Sequence, residues 1–141
     1  MLVKALNPKS PKLIPTSHAT LVTRVSQSYQ LAQDVVRKKL QSAISDIHLS
    51  LDLWTSPNNH LLLGVCAHFV DYDQKRRFKA LLALRPVIGH SGKNQFTSLL
   101  PVLEDFGIVR KLGCVMADNA STNDTLCQEI EEYLEEEERI K

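Results

Sequence analysis

One short apolar strand with a carboxylate in its middle constrains the fold of this chain more than any other stretch. His48–Ser56 reads HLSLDLWTS, and Asp52 lies at its centre. A charge inside such a strand is costly unless a nearby group needs it. A second acid, Asp118, ends another apolar run in the sequence VMADNAS. We therefore expect these two strands to lie side by side and their carboxylates to share a divalent metal ion.

The chemistry of two neighbouring carboxylates favours one class of cation. They repel each other unless a cation joins them, and hard oxygen ligands select Mg²⁺ or Mn²⁺. Such ions can activate a water or a 3′-hydroxyl in phosphodiester transfer. The pattern alone leaves a second interpretation open, in which Asp52 faces water at a strand edge and Asp118 caps the following turn.

Composition excludes several classes of protein. The 141 residues are 43% hydrophobic and 23% charged, which suffices for one domain with its own core. No apolar run approaches the roughly 20 residues that cross a bilayer, and the N-terminus lacks the apolar stretch of a signal peptide. We therefore expect an intracellular protein without a membrane partner. The three cysteines are widely spaced, which predicts reduced, buried thiols rather than disulfides or a zinc site.

The hydrophobic period predicts the order of the elements. A proline- and lysine-rich linker over 1–16 is followed by apolar residues at three- and four-residue steps, and these predict a long amphipathic helix. The period then changes to strict alternation, which predicts strands. The predicted elements are helix 19–45, strands 48–55, 61–71 and 77–87, helix 93–106, strand 111–117 and helix 123–139. A helical crossover after three antiparallel strands predicts a mixed sheet with strand four parallel to strand one.

Three motifs carry a resemblance to a known family. They are LSLDLWTSPNN (49–59), GHSGKN (89–94) and VMADNASTND (115–124), in this order. Together they resemble the catalytic domain of the hAT superfamily of DNA transposases over roughly residues 13–134. The resemblance implies an α/β, ribonuclease H-like fold with β-β-β-α-β-α order behind the long helix. Residues 17–141 then form a partial domain that ends before the fifth strand.

The resemblance also implies a site and a partner. Asp52 and Asp118 match the first two acids of a catalytic D-D-E triad that binds Mg²⁺ or Mn²⁺. Transposon-end DNA is the implied partner, and the nucleus the implied location. The third acid of the family, a distant Glu, has no counterpart, because the glutamates of 129–138 follow strand four too closely. The chain alone is therefore expected to be inactive.

A different class of function remains open beside this one. The chain is then a non-catalytic module that binds protein or DNA, with the long helix and the acidic C-terminal stretch as contact surfaces. An incomplete sheet exposes the edge of strand four, and an exposed edge favours self-association.

A second set of residues is predicted to contact nucleic acid. Its members are Trp54, Lys75, Arg76, Arg77, Lys93 and Asn94. The tryptophan shares a face with Asp52, and it either stacks on a base or shields the end of the sheet as a core residue. The three hairpin cations, together with Lys79 beside them, either touch a DNA backbone or serve only solubility. The lysine and asparagine begin a predicted helix, where they either contact phosphate or cap the helix.

Overall fold

The computed structural model describes residues 17–118 and 120–139. The predicted linker over 1–16 lies outside these residues. The elements are α1 (His18–Gln41), β1 (Ile47–Thr55), β2 (Leu61–Val70), β3 (Arg77–Pro86), α2 (Gly92–Phe106), a 3₁₀ helix (Val109–Lys111), β4 (Leu112–Ala117) and α3 (Ala120–Arg139). The predicted order of a long helix followed by β-β-β-α-β-α is therefore confirmed. Among the described helices, none combines the length and the hydropathy that a bilayer crossing requires.

The four strands form one mixed sheet in the order β3-β2-β1-β4. β1 pairs antiparallel with β2, and β2 pairs antiparallel with β3. β1 also pairs with β4, and this pairing is parallel. The expected placement of strand four beside strand one is therefore confirmed. It follows that β1, β3 and β4 all run in the same direction and end at the same edge of the sheet.

The alternation of β1 defines which face of the sheet is the core. Ile47, Leu49 and Leu51 are buried, whereas His48 and Asp52 are exposed on the opposite face. The register with β2 continues both faces, because it sets buried residues level with buried residues. Apolar side chains of α2 and α3 belong to the same buried cluster. The two helices therefore cover one face of the sheet.

The other face, which carries the alternate residues His48, Ser50, Asp52 and Trp54 of β1, is called here the open face. Large apolar side chains on it keep contact with solvent. Leu81 and Met116 are each 63% exposed, and Trp54 is 39% exposed. Functional side chains of the strands are therefore to be sought on this face, because the opposite face is filled by the core.

The chain divides between Val35 and Val36 into two units. In the first unit, the described residues form most of α1, and the hydroxyl of Ser17 accepts a 3.1 Å hydrogen bond from the Thr20 N–H at the start of the helix. The second unit holds the last residues of α1 together with the sheet, α2 and α3.

The first helix ends at Gln41, four residues earlier than the periodicity predicts. Lys111 is the reason, because its ammonium group donates to the carbonyls of Leu40, Gln41 and Ala43 at 3.3, 2.7 and 3.0 Å. The Leu40 carbonyl also accepts the Ala43 N–H at 3.2 Å, and Lys111 adds a charged donor at this end of the helix. The next amide, that of Ile44, donates to a carbonyl of β2. The chain thus leaves the helix to join the sheet.

Replacing Lys111 with methionine is expected to lower the free energy of unfolding by about 1–3 kcal/mol, the contribution of hydrogen bonds to a charged donor. Equilibrium urea denaturation measures this change. Lys38→Met is the matched control, because Lys38 lies exposed in the last turn of the same helix. An equal loss in both variants would mean that only the general attraction of a cation to the helix end is involved.

The second helix has clear limits at both ends. The hydroxyl of Ser91 accepts a hydrogen bond from the Asn94 N–H at 3.3 Å, and Gly107 ends the helix in the left-handed conformation with φ 66°. The amides of Gly107 and Ile108 donate back into the last turn. Pro101 lies inside the helix rather than in its first turn.

Candidate functional site

The parallel register of β1 and β4 brings the two predicted acids level with each other. Leu51 and Ala117 are partners in this register. Asp52 follows Leu51 within β1, and Asp118 follows Ala117 directly after β4. Neighbouring strands lie about 4.8 Å apart. Both aspartates are exposed. Asp52 and Asp118 thus each follow one residue of the last β1–β4 pair, near the edge of the sheet where these strands end.

The donor set of this pair suits a hard divalent cation. Carboxylate oxygens are the ligands that Mg²⁺ and Mn²⁺ prefer, and Mg²⁺ commonly binds through one or two carboxylates while water and substrate phosphates complete its shell. Among the described residues, no group of three or more histidine, cysteine, aspartate or glutamate side chains is placed to hold a metal ion. The described part of the chain therefore offers two of the ligands of such a site.

The indole of Trp54 packs against Gly64 of the neighbouring strand. Gly64 is level with Asp52 in the antiparallel register, and a Cβ built on this glycine would lie 3.2 Å from Cζ3 of the indole. Gly64 thus leaves room for the ring on the open face. The ring is 39% exposed and is not a member of the buried core cluster. An aromatic surface is therefore presented to solvent beside Asp52.

The start of α2 lies at the same edge as the two aspartates, because β3 runs parallel to β1 and leads into this helix. β2 lies between β3 and β1, however, so the helix start is displaced along the edge. The side chain of Asn94 packs against Gly89, where a Cβ would come within 2.7 Å of its Nδ2 atom. Lys93 is exposed. The cap of the helix is Ser91 rather than either of these two residues.

The basic hairpin lies at the opposite edge of the sheet. Lys75 and Arg76 belong to the turn between β2 and β3, and Arg77 begins β3. Asp52 is level with Gly64, and β2 runs on from there to Val70, so the two sites are separated by roughly 20 Å along the sheet. The ammonium group of Lys75 lies 4.3 Å from the ring centroid of Tyr72 within this turn. The hairpin cations and the paired carboxylates therefore form two separate surfaces.

Two histidines on the open face are held by hydrogen bonds that the sequence did not indicate. The Cys114 N–H donates to Nδ1 of His48 at 3.1 Å, and the hydroxyl of Ser50 lies 2.8 Å from Nε2 of His68. The sequence pattern contained one signal for them, since alternation in HLSLD and in CAHFV sets both histidines on the polar face of adjacent strands.

The cysteines differ in part from the prediction. All three are free thiols, as expected. Cys114 is exposed, however, and Cys66 and Cys127 are only half-buried, so the expectation of buried thiols is wrong.

Comparison with known proteins gives a family match and several relatives. Residues 50–141, about two-thirds of the chain, match the family described as the ZBED1 RNase-like domain. A putative transcriptional regulator of Talaromyces stipitatus, tpeD, is 32% identical over 117 residues, which are 82% of this chain and 14% of that protein. The putative AC and AC9 transposases of Zea mays are each 28% identical over 138 residues, which are 95% of this chain and 16% of each transposase. The chain thus spans a small part of the length of these relatives.

Proposed function

Because the chain belongs to the ZBED1 RNase-like domain family, which is related to the hAT transposases, we propose that Asp52 and Asp118 bind a divalent metal ion at a DNA-processing site. The observation that carries this proposal is the parallel register of β1 and β4, in which the residues that precede them, Leu51 and Ala117, are partners. A DNA partner would make the nucleus the place where this chain acts.

The residues around the pair suit this function. Asp52 and Asp118 would hold Mg²⁺ or Mn²⁺, and the bound ion would supply charge stabilisation for phosphodiester chemistry. Trp54 would offer its exposed face to an unpaired base, since aromatic faces stack on bases without regard to sequence. The two carboxylates repel free DNA phosphates, so productive DNA contact at this edge would require the cation.

The chain by itself is expected to bind metal without cleaving DNA. The D-D-E chemistry of the resembled family uses three acids, and Asp52 and Asp118 would supply two of them. Two carboxylates fill only part of an octahedral shell, which predicts weak binding, with a Kd on the order of 1 mM. Cleavage is a property that we propose only for a longer protein carrying the third acid.

Mn²⁺ titration of the intrinsic fluorescence tests the metal site. Trp54 is the single tryptophan of the chain, so its emission reports on the neighbourhood of Asp52. We expect saturable quenching by paramagnetic Mn²⁺, recovery when Mg²⁺ is added in excess, and loss of the saturable phase in Asp52→Asn and in Asp118→Asn. Asparagine keeps the shape of the side chain and removes its charge.

Asp73→Asn is the matched control for this titration, because Asp73 lies exposed in the turn at the opposite edge of the sheet. Mn²⁺ should quench the Trp54 emission of this variant as it does that of the wild type. Saturable quenching that survives Asp52→Asn unchanged would exclude the proposed site.

A non-catalytic role is the second candidate, and one observation favours it. The putative transcriptional regulator tpeD is more similar to this chain than the maize transposases are, at 32% against 28% identity. In that role, the fold would serve as a module that binds DNA or protein. Retention of DNA binding with no metal-dependent quenching in the titration above would favour this candidate over the first.

A further inference from the structure

A cavity of about 350 Å³ lies at the edge of the sheet where β1 begins and β2 ends, far from Asp52. Its eight lining residues, all in the described part of the chain, include four basic side chains and no acidic one. The basic residues are His48, His68, Arg77 and Lys79. We call these four residues the basic row, and we propose that the basic row binds adjacent phosphates of a DNA backbone.

The strand register builds the basic row across three strands. His48 of β1 is level with His68 of β2, and His68 is level with Lys79 of β3. Arg77 lies two residues before Lys79 in β3, on the same face of the strand, and is level with Val70. Directly opposed residues in antiparallel strands share one face of the sheet. Two inter-strand spacings of about 4.8 Å give the row a width of about 10 Å.

The two imidazoles are positioned by hydrogen bonds on their far sides. His48 accepts the Cys114 N–H on Nδ1, which assigns the proton of the neutral ring to Nε2 and leaves that nitrogen as a donor. Nε2 of His68 is engaged with Ser50, which leaves Nδ1 for another partner. The rings are therefore held on the sheet rather than free to rotate away from the cavity.

Arg77 and Lys79 supply the positive charge of the basic row. Within the described residues, no ion pair involves Arg77 or Lys79. Asp71, which follows β2, is only 1% exposed and is engaged by Lys39 and by the Gln74 N–H. Asp46, which precedes β1, packs against Gly113 on the β4 side.

The shape of the row points to a polymer of phosphates as its ligand. The row is about 10 Å wide, which exceeds the width of a single phosphate group. Cations placed on a DNA backbone release condensed counterions, so each contact adds affinity without reading sequence. The hairpin cations Lys75 and Arg76 extend the same surface beyond the cavity. This proposal shares its DNA partner with the proposed function and is independent of the metal ion.

Salt dependence of DNA binding tests the basic row. A labelled duplex oligonucleotide of arbitrary sequence is titrated with the full chain at several KCl concentrations in EDTA, which removes any contribution of the metal site. We expect Lys79→Gln and Arg77→Gln each to reduce the slope of log K against log[KCl] by about 0.9, the value for one lost phosphate contact. His48→Gln with His68→Gln should weaken binding at every salt concentration.

Lys38→Gln is the charge-matched control, because Lys38 is exposed on α1 and outside the row, and its slope should equal that of the wild type. Circular dichroism verifies that each variant is folded. Wild-type slopes in the Lys79 and Arg77 variants would overturn the proposal, as would absence of DNA binding by the wild type. Saturable shifts of the His68 resonances with inorganic phosphate, without DNA binding, would identify a single-anion site and would also overturn it. None of these results depends on Mn²⁺ binding at Asp52.

Discussion

Leu49→Ala is expected to lower the free energy of unfolding by about 2–5 kcal/mol, the range for a buried leucine truncated to alanine. Leu49 is 1% exposed in the middle of β1, on the face covered by α2 and α3. Truncation there removes apolar burial and leaves a cavity between the sheet and the helices. Because small domains are stable by only about 5–15 kcal/mol, the variant should unfold at clearly lower urea concentration.

Leu81→Ala is the matched control for this experiment. Leu81 has the same side chain in a strand of the same sheet, but it is 63% exposed on the open face. Its truncation should change the free energy of unfolding by less than about 0.5 kcal/mol. Equal losses in the two variants would contradict the assignment of the core face, and with it the assignment of Asp52 to the open face.

Asp71→Asn is expected to destabilise the chain at neutral pH and to remove a component of its acid unfolding. The Lys39 ammonium, 2.9 Å from the carboxylate, together with the Gln74 N–H, holds the pKa of Asp71 below its ordinary value of 3.8. A carboxyl whose pKa is lowered by folding stabilises the folded state above its unfolded pKa, and this contribution is lost as the pH falls through the folded value.

The stability difference between wild type and Asp71→Asn should therefore be full above pH 3.8 and should shrink as the pH falls below that value. Thermal unfolding across this range measures it. Asp73→Asn, exposed in the same turn, should show no comparable loss at neutral pH. A constant difference between wild type and Asp71→Asn at every pH would rule out the ion pair as its cause.

The sequence predicted the fold through the period of its apolar residues. Alternation in β1 identified both the strand and the face of Asp52, because each residue of a strand points opposite to the next. The helical crossover then fixed the parallel pairing of β1 with β4. The family relation expected from three motifs is confirmed by the family match over 50–141 and by the maize transposases.

The contacts that the sequence did not predict join residues that are far apart in the chain. Lys111 reads as the beginning of a strand, yet it caps α1 some 70 residues earlier in the chain. The sequence predicts Asp71 as a turn residue, yet its side chain is buried and accepts a hydrogen bond from the ammonium group of Lys39 in α1. No local period encodes such contacts, because they depend on how the last turn of α1 meets the sheet.

The separation of the basic hairpin from the two carboxylates has a similar origin. The carboxylates were predicted to bind metal and the hairpin cations to contact DNA, but their distance depends on strand direction, which sets the turn after β2 at the opposite edge from the end of β1. Of the basic row, Arg77 and Lys79 were predicted as hairpin cations, whereas His48 and His68 were not, because they join these cations only through the register of three strands.

The shared metal site at Asp52 and Asp118 is tested most directly by nuclear magnetic resonance of the ¹⁵N-labelled chain with substoichiometric Mn²⁺. Paramagnetic broadening identifies the amides nearest the ion. We predict that the amide signals around Asp52 and Asp118 broaden first and together, and that Asp52→Asn abolishes both effects. Broadening centred on the glutamates of α3, with the signals at the ends of β1 and β4 unaffected, would contradict the proposed site.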